Sequence, residues 1–500
     1  MYDLKFFIEK ECKKIFLKQS NKIISSKKDQ AKFKKRTGLE PEKPSSYSTK
    51  LWEIDKHFNP YYVRKNIDKI TYALLKKINE QTYKPKPSIQ LRIQKQGGGK
   101  RTISIFTIPD AAISRMYYEL LYKKNVNIYS DCSYAYRRDT NAHYAIEKLY
   151  EKARDRYRLY LIEYDFASYF NNIDHEYLLQ ILQNSFNIDE SELYVIKQLI
   201  NYEYAEGTDN YKNKIYLKNN RGIPQGSTIS LFLANAVCHD LDKKLSEANV
   251  TYARYADDSV IISDTYESAN KCIQEFLHFS HISKNKINFK KSEGLSLLTT
   301  DKKAEIKHKV EFDFLGHSIS PFGISIAAKS IGRVKRRISG IINKHLFLYT
   351  VKHGVKPTRI SSQGTDWDLI TCINEIRRYI YGGINEYDLT RMLKGQKALA
   401  TIPRGLMSYY PLVTDESILK ELDGWLFNVI TRAQKKRHKL LKDNFPQYRV
   451  YTKAELLSGA WYNDDLDIEP YLPSFYRAWM LICRIREQAS LDKFPSPIYY

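Results

Sequence analysis

The sequence predicts an α+β chain built from more than one structural unit. Three observations predict it. Apolar and β-branched residues flank Tyr255-Ala256-Asp257-Asp258, so residues 252–263 read as two short strands meeting at an acidic turn. A second hairpin is written in the alternating residues 89–96, the turn Gly97-Gly98-Gly99 and the return at 100–105. Helical spacing dominates elsewhere, from Leu51 to about Pro87 and again after Gly323. Five hundred residues exceed one ordinary domain, which predicts two to four subdomains.

Composition narrows the partner. Lys plus Arg number 81 against 57 for Asp plus Glu, a formal net charge of +24. Such an excess favours a polyanion, nucleic acid before anionic membrane. No run approaches the roughly 20 apolar residues that span a bilayer. Met1-Tyr2-Asp3-Leu4-Lys5 lacks the shape of a signal peptide. Cys12, Cys132, Cys238, Cys272, Cys372 and Cys483 are scattered and form no Cys-x-x-Cys pair. That argues against a zinc module and for a reduced, cytoplasmic setting. The forty tyrosines offer stacking platforms for bases, although the joint abundance of Lys, Asn, Ile and Tyr is the plainer signature of an AT-rich gene.

The elements follow in order. Residues 1–50 read as a Lys-rich leader, either a flexible basic arm touching phosphates or a tail with no specific role. Ile67, Ile70, Leu74, Leu75 and Ile78 recur at helix spacing. Basic residues beside the Gly-rich tip of the 89–105 hairpin suit phosphate gripping, though basic hairpins are common on surfaces. Ile108-Pro109-Asp110 opens a helix that buries Ile113, Met116 and Leu120-Leu121. Residues 160–166 form a strand ending in Asp165, and the Gly-rich loop Arg221-Gly222-Ile223-Pro224-Gln225-Gly226-Ser227 precedes an apolar helix.

Adjacent carboxylates at a tight turn repel, and a cation, a basic group or solvent must offset that. An isolated Asp-Asp pair is ordinarily a solvated hairpin tip. Asp165, at the end of a neighbouring strand, supplies a third carboxylate. Three such oxygen donors suit Mg²⁺, which takes its remaining ligands from water and substrate phosphates. Two ions about 3.5–4 Å apart would serve phosphoryl transfer.

Asp165-x-x-x-x-Phe170, the Arg-Gly-x-Pro-Gln-Gly loop and Tyr-Ala-Asp-Asp, in this order, resemble motifs A, B and C of reverse transcriptases. Upstream, Lys95 to Arg101 with Ile108-Pro109-Asp110, and Ser133-Tyr134-Ala135-Tyr136-Arg137, are similar to the fingers of bacterial, group II intron-like enzymes. Downstream, Asn288-Phe289-Lys290-Lys291-Ser292 and Phe312-Asp313-Phe314-Leu315-Gly316-His317 resemble the lysine motif and the primer grip. The resemblance implies a right-hand polymerase with an antiparallel palm sheet. Its parts would be a basic N-terminal extension (1–50), fingers (51–160), palm (161–325), a helical maturase-like thumb (326–445) and a helical C-terminal extension (446–500).

It also implies roles. Asp165 and Asp257 would ligate metal, with the Phe166 carbonyl, and Asp258 less directly. Two Mg²⁺ ions are expected, with Mn²⁺ as the alternative. Lys95 and Arg101 would neutralise the triphosphate, Lys291 would donate a proton near it, and Gln225 with Gly226 would support nucleotide and template. Phe170 would be the steric gate favouring deoxynucleotides. Lys329, Arg333, Arg336 and Arg337 on one helix would hold a template–primer duplex. Tyr499 and Tyr500 are candidate protein primers.

No zinc endonuclease, Val-Thr-Gly thumb motif or RNase H-like segment accompanies this core. A core with its own helical tail is similar to the defence-associated reverse transcriptases, with a lean to the type 9 class. These work with a structured noncoding RNA, here expected as template or scaffold, and act against phage. Deoxynucleotides as substrates, a DNA product, self-association and no membrane partner follow by the same resemblance. Two other readings stay open: a template-independent DNA polymerase of the abortive-infection type, and a maturase-like RNA-binding scaffold.

Overall fold

The computed structural model describes residues 3–42, 50–94, 98–301, 303–397, 402–457 and 471–495. At its centre lies a five-stranded sheet of order β6-β7-β3-β8-β9: β3 (Arg158–Asp165), β6 (Thr251–Tyr255), β7 (Asp258–Ser263), β8 (Gly294–Thr299) and β9 (His308–Lys309). β3 runs antiparallel to β7 and β8 on its two sides. Both faces of β3 are covered, and its side chains alternate between two cores. Ile162, Tyr164 and then Phe166 face a cluster with the helices Ile108–Asn125 and Tyr266–Ile282, while Leu159 and Leu161 face a cluster with the C-terminal helices. Asp165 emerges at the end of the strand, two residues beyond Glu163, which pairs with Lys309.

The predicted Gly-rich hairpin is present as β1 (Ser88–Gln94) and β2 (Lys100–Ile105). It extends into a second sheet with β4 (Glu203–Glu206) and β5 (Leu217–Lys218). A third sheet, β10 (Phe312–Phe314), β11 (His317–Ser320) and β12 (Gly323–Ile326), follows the central one. Its first hairpin turns through Leu315 and Gly316, both at positive φ.

The loop 221–227 joins two of these units. The Ile223 N–H donates to the Phe170 carbonyl at 2.7 Å, and the Ser104 N–H on β2 donates to the Gln225 carbonyl at 2.7 Å. Gly222 lies at φ +78°, and a Cβ there would stand 2.6 Å from the Asn171 carbonyl oxygen. Only glycine lets the two backbones approach this closely.

Residues 4–37 differ from the expected flexible arm. They form one helix, Leu4–Thr37, capped by the Asp3 side chain and by Gly38 at φ +79°. Leu4, Phe7, Ile8, Glu11 and Cys12 are its buried residues at one end, and Glu11 pairs with Arg115 at 2.6 Å. At the other end Arg36 is buried, donates to the Lys344 carbonyl at 3.2 Å, and lies 3.4 Å from Asp368. The lysines between these anchors suit a helix, and the ends hold it down. The arm is thus a strap between the N-terminal helices and the C-terminal half.

That half is helical, as expected. The helices Ala328–Ile342, Trp367–Tyr381, Glu416–Leu441 and Phe475–Arg486 share one core. Arg437, fully buried, pairs with Asp366 at 2.5 Å and Asp368 at 3.0 Å. The segment 491–495 returns to the helix Ala142–Ala153: the Asn141 side-chain amide donates to the Leu491 carbonyl at 2.9 Å, and Phe494 is buried.

Candidate active site

The register of β3 against β7 sets Asp165 directly opposite Asp258. β6 and β7 close through the two-residue turn Ala256-Asp257, with Tyr255 paired to Asp258. Ala256 sits at φ +60° while Asp257 does not share the left-handed region, the pattern of a II′ hairpin turn whose first position usually belongs to glycine. All three aspartates line one cleft of about 1540 Å³. Its wall also carries Arg101, Tyr136, Lys291, Lys329 and Arg333.

Several contacts fix Asp165. Its backbone carbonyl accepts from the Asn288 N–H at 2.7 Å, and its own N–H donates to Ser292 Oγ at 3.0 Å. Its carboxylate accepts from the Asn288 side-chain amide at 3.2 Å and from Lys291 Nζ at 3.0 Å. The stretch 288–292 therefore clamps the end of β3 from both the backbone and the side chain.

The charges do not cancel. Burial, with the charge of Asp165 next, pushes the Asp257 carboxyl above the ordinary carboxylate range. Burial, then Asp257 and Asp165, pushes Asp258 up to about 7 against the opposing pull of Lys291 and Lys329. For Lys291, burial lowers the ammonium pKa, but its hydrogen bond and charge contact with Asp165 outweigh that and raise it overall. Lys291 thus offsets Asp165, while the repulsion felt by Asp257 and Asp258 is only partly offset.

These are hard oxygen donors with mutual repulsion, and an ammonium group already sits on one of them. The set fits a divalent cation of the Mg²⁺ type. As the side chains stand, no three metal-ligating groups among the described residues are gathered closely enough to hold an ion. Asp165 is turned instead to Lys291 and Asn288.

Of the residues singled out in the sequence, Asp165, Asp257, Asp258, Arg101, Lys291, Lys329 and Arg333 come together in the cleft. Lys329 is exposed, and Arg333 is partly buried with Nη2 donating to Ser330 Oγ at 3.1 Å. Arg336 and Arg337 are exposed on the same helix but do not line the cleft. The Phe166 ring is buried and stacked on Tyr169 at 5.5 Å, which leaves its backbone as the part nearest the site. Phe170 does not line the cleft. It packs edge-to-face on Tyr136, centroids 6.3 Å apart, and Tyr136 does line it. Gln225 and Gly226 also lie outside the lining, tied to β2 through the backbone. Lys95, Tyr499 and Tyr500 lie outside the described residues.

Two contributors had no site role in the sequence. Tyr136, at φ +60°, forms part of the wall, and burial pushes its phenol up to about 12. Arg254 is fully buried beneath the acidic turn. A lone arginine inside an otherwise apolar strand was the signal for it.

Residues 93–319 match the model of the reverse transcriptase (RNA-dependent DNA polymerase) family. That span contains β3, the 221–227 loop, the acidic turn and the 288–292 clamp. The chain is similar to the group II intron-encoded protein LtrA of Lactococcus lactis, 24% identical over 209 residues, or 41% of this chain and 33% of that protein. It is similar to an uncharacterized 91 kDa protein in the cob intron of Schizosaccharomyces pombe, 28% identical over 181 residues, 35% of this chain and 20% of that one. The chain thus spans about a third of LtrA and a fifth of the yeast protein. Among solved structures it is similar to telomerase from Candida albicans in complex with a fragment of telomeric RNA. There the identity is 12%, with 72% of this chain and 65% of that one covered at a TM-score of 0.36. Apo telomerase from Candida tropicalis matches at 11% identity, 76% and 63% coverage, and a TM-score of 0.37. The fold is α+β, with the central antiparallel sheet carrying the acidic turn.

Proposed function

We propose that this protein is an RNA-directed DNA polymerase whose active site is the Asp165, Asp257 and Asp258 cleft. The observation that carries the reading is the β3–β7 register, which brings a strand-end aspartate opposite the acidic turn inside a cleft with a basic wall. In this reading residues 51–160 are the fingers, 161–325 the palm, 326–445 the thumb and 446–500 a C-terminal extension.

Bound divalent ions would supply charge neutralisation at the attacking and leaving oxygens. Asp165, Asp257 and Asp258 would hold them, with the carbonyl of Phe166. The rest falls to the chain. Arg101 lines the same cleft, near enough for its charge to act on Asp257, and meets the triphosphate as charge builds on the leaving pyrophosphate. Lys291 Nζ, which donates to Asp165 at 3.0 Å, would be free to turn its ammonium toward the same phosphates with Asp165 serving as a metal ligand. Lys329 and Arg333 contact the backbone of the duplex. Tyr136, backed by Phe170, forms the wall beside the sugar.

The further reading is that the template is a structured noncoding RNA and that the cDNA serves antiphage defence. Its support is the resemblance of the core and tail to defence-associated reverse transcriptases, together with the +24 net charge. Tyr499 and Tyr500 are carried as candidate primers, and protein-linked DNA from a Tyr499→Phe, Tyr500→Phe double variant refutes that part. The experiment for the whole is to purify the protein from infected and uninfected cells and sequence its bound RNA and DNA. A discrete RNA with DNA copied from it is expected. Bound RNA without DNA in both conditions favours an RNA-binding scaffold instead.

A further inference from the structure

Arg254 on β6 is fully buried, yet all five of its N–H donors are used. Nε and Nη2 form a two-pronged ion pair with Asp242, the Nε bond measuring 2.7 Å. Nη2 also donates to Ser133 Oγ at 2.8 Å. Nη1 donates to the Ala256 carbonyl at 3.0 Å and to Asn235 Oδ1 at 3.4 Å. The backbone of Arg254 is bound as well: its N–H donates to the Cys132 carbonyl at 2.8 Å, and its carbonyl accepts from Tyr134 at 2.9 Å.

The Ala256 contact gives this cluster its meaning. In a two-residue hairpin turn the carbonyl of the first turn residue has no partner in the strand ladder. Ala256 holds positive φ without being glycine, a conformation that persists only where surroundings fix it. Nη1 fixes the peptide plane between Ala256 and Asp257, and that plane determines where the Asp257 side chain points. Filling the core is not an adequate reason for the pair, because well-packed apolar residues often serve stability as well as a buried ion pair does.

We propose that Arg254 is a positioning residue: through the Ala256 carbonyl it aims the Asp257 carboxylate into the cleft, and Asp242 and Ser133 hold its guanidinium in place. For its kinetic consequence this rests on the polymerase reading above. The aim of the carboxylate does not.

The test compares the Arg254→Met, Asp242→Leu double variant, Arg254→Lys and Tyr252→Phe with the wild-type full chain. Tyr252 donates to Asp242 at 3.0 Å but does not touch the turn, so Tyr252→Phe disturbs the same buried cluster without releasing Ala256. Two readouts are taken on each: steady-state DNA synthesis on an RNA template with a DNA primer, and Mn²⁺ binding followed by electron paramagnetic resonance without nucleotide. The folded double variant is expected to lose about 100-fold in kcat with the primer–template KM within about threefold, as for a misaimed group. Its Mn²⁺ affinity is expected to fall about tenfold. Tyr252→Phe is expected to stay within about twofold of wild type in both, against losses of about tenfold or more in Arg254→Lys. Wild-type kcat and Mn²⁺ affinity in the folded double variant overturn the proposal. If that variant fails to fold, Arg254→Lys decides alone: wild-type values there, or losses matched by Tyr252→Phe, overturn it. If the wild type makes no DNA, the polymerase reading fails and Mn²⁺ binding still decides the role of Arg254.

Discussion

Replacing Asp258 by asparagine should stabilise the protein when metal and nucleic acid are removed. An ordinary aspartate titrates near pH 3.9, and burial with Asp257 and Asp165 lifts Asp258 to about 7. A raised pKa means the folded state holds a proton that the unfolded state has released. Stability from this group is therefore lost as pH climbs from about 4 to about 7 and stays lost above that. At 1.36 kcal/mol per pH unit the ceiling above pH 7 is about 4 kcal/mol. Solvent at the cleft roughly halves it, to about 2 kcal/mol. At pH 5.5 only about half of this difference has developed. The assay is thermal unfolding of the nucleic-acid-free protein in a chelator at pH 5.5 and pH 8. Asp258→Asn should unfold at a higher temperature than wild type at pH 8 and lie nearer to it at pH 5.5. An unchanged or lowered unfolding temperature at pH 8 refutes the argument that these carboxylates are held together against repulsion. So does a gain that fails to shrink at pH 5.5.

Gly222→Ala places a methyl group 2.6 Å from the Asn171 carbonyl oxygen at φ +78°, so the turn after Asp165 must move. The left-handed conformation alone costs about 1–2 kcal/mol, and primer extension should fall well below wild type while the salt dependence of RNA binding is kept. Arg36→Ala leaves the Asp368 carboxylate with one fewer buried partner and should cost about 3 kcal/mol. Limited proteolysis should then cut within residues 13–35 faster than in the wild type. RNA affinity should fall about 10³-fold between 50 and 200 mM salt if several phosphates are contacted, as filter binding would report. Binding that ignores salt contradicts a phosphate-tracking surface.

Much of this architecture was legible in the sequence because it is written locally. The strand at 160–166 that carries Asp165, the residues flanking the acidic turn and the Gly-rich hairpin are each marked by their own local residues. What escaped was written at long range. Arg36 finds Asp368, and Arg254 finds Asp242 and Ser133. A buried charge partnered across so many residues leaves no periodic trace, so the first helix looked like a free basic arm. Phe170 and Gln225 are a different case. Motif position says that a residue lies near a site, but packing decides which atom faces it. Tyr136 stands on the cleft wall with Phe170 packed behind it, and Gln225 is held by its backbone to Ser104.

Templated DNA synthesis at the three aspartates is the activity on which the other roles depend. Its most direct measurement is to supply the purified full chain with an RNA of arbitrary sequence, an annealed DNA primer, all four deoxynucleotides and Mg²⁺, and to sequence the product. DNA complementary to the RNA is expected from the wild type and none from Asp257→Asn, with RNA binding equal in both. Equal DNA from the Asp257→Asn variant, or DNA unrelated to the RNA supplied, contradicts it.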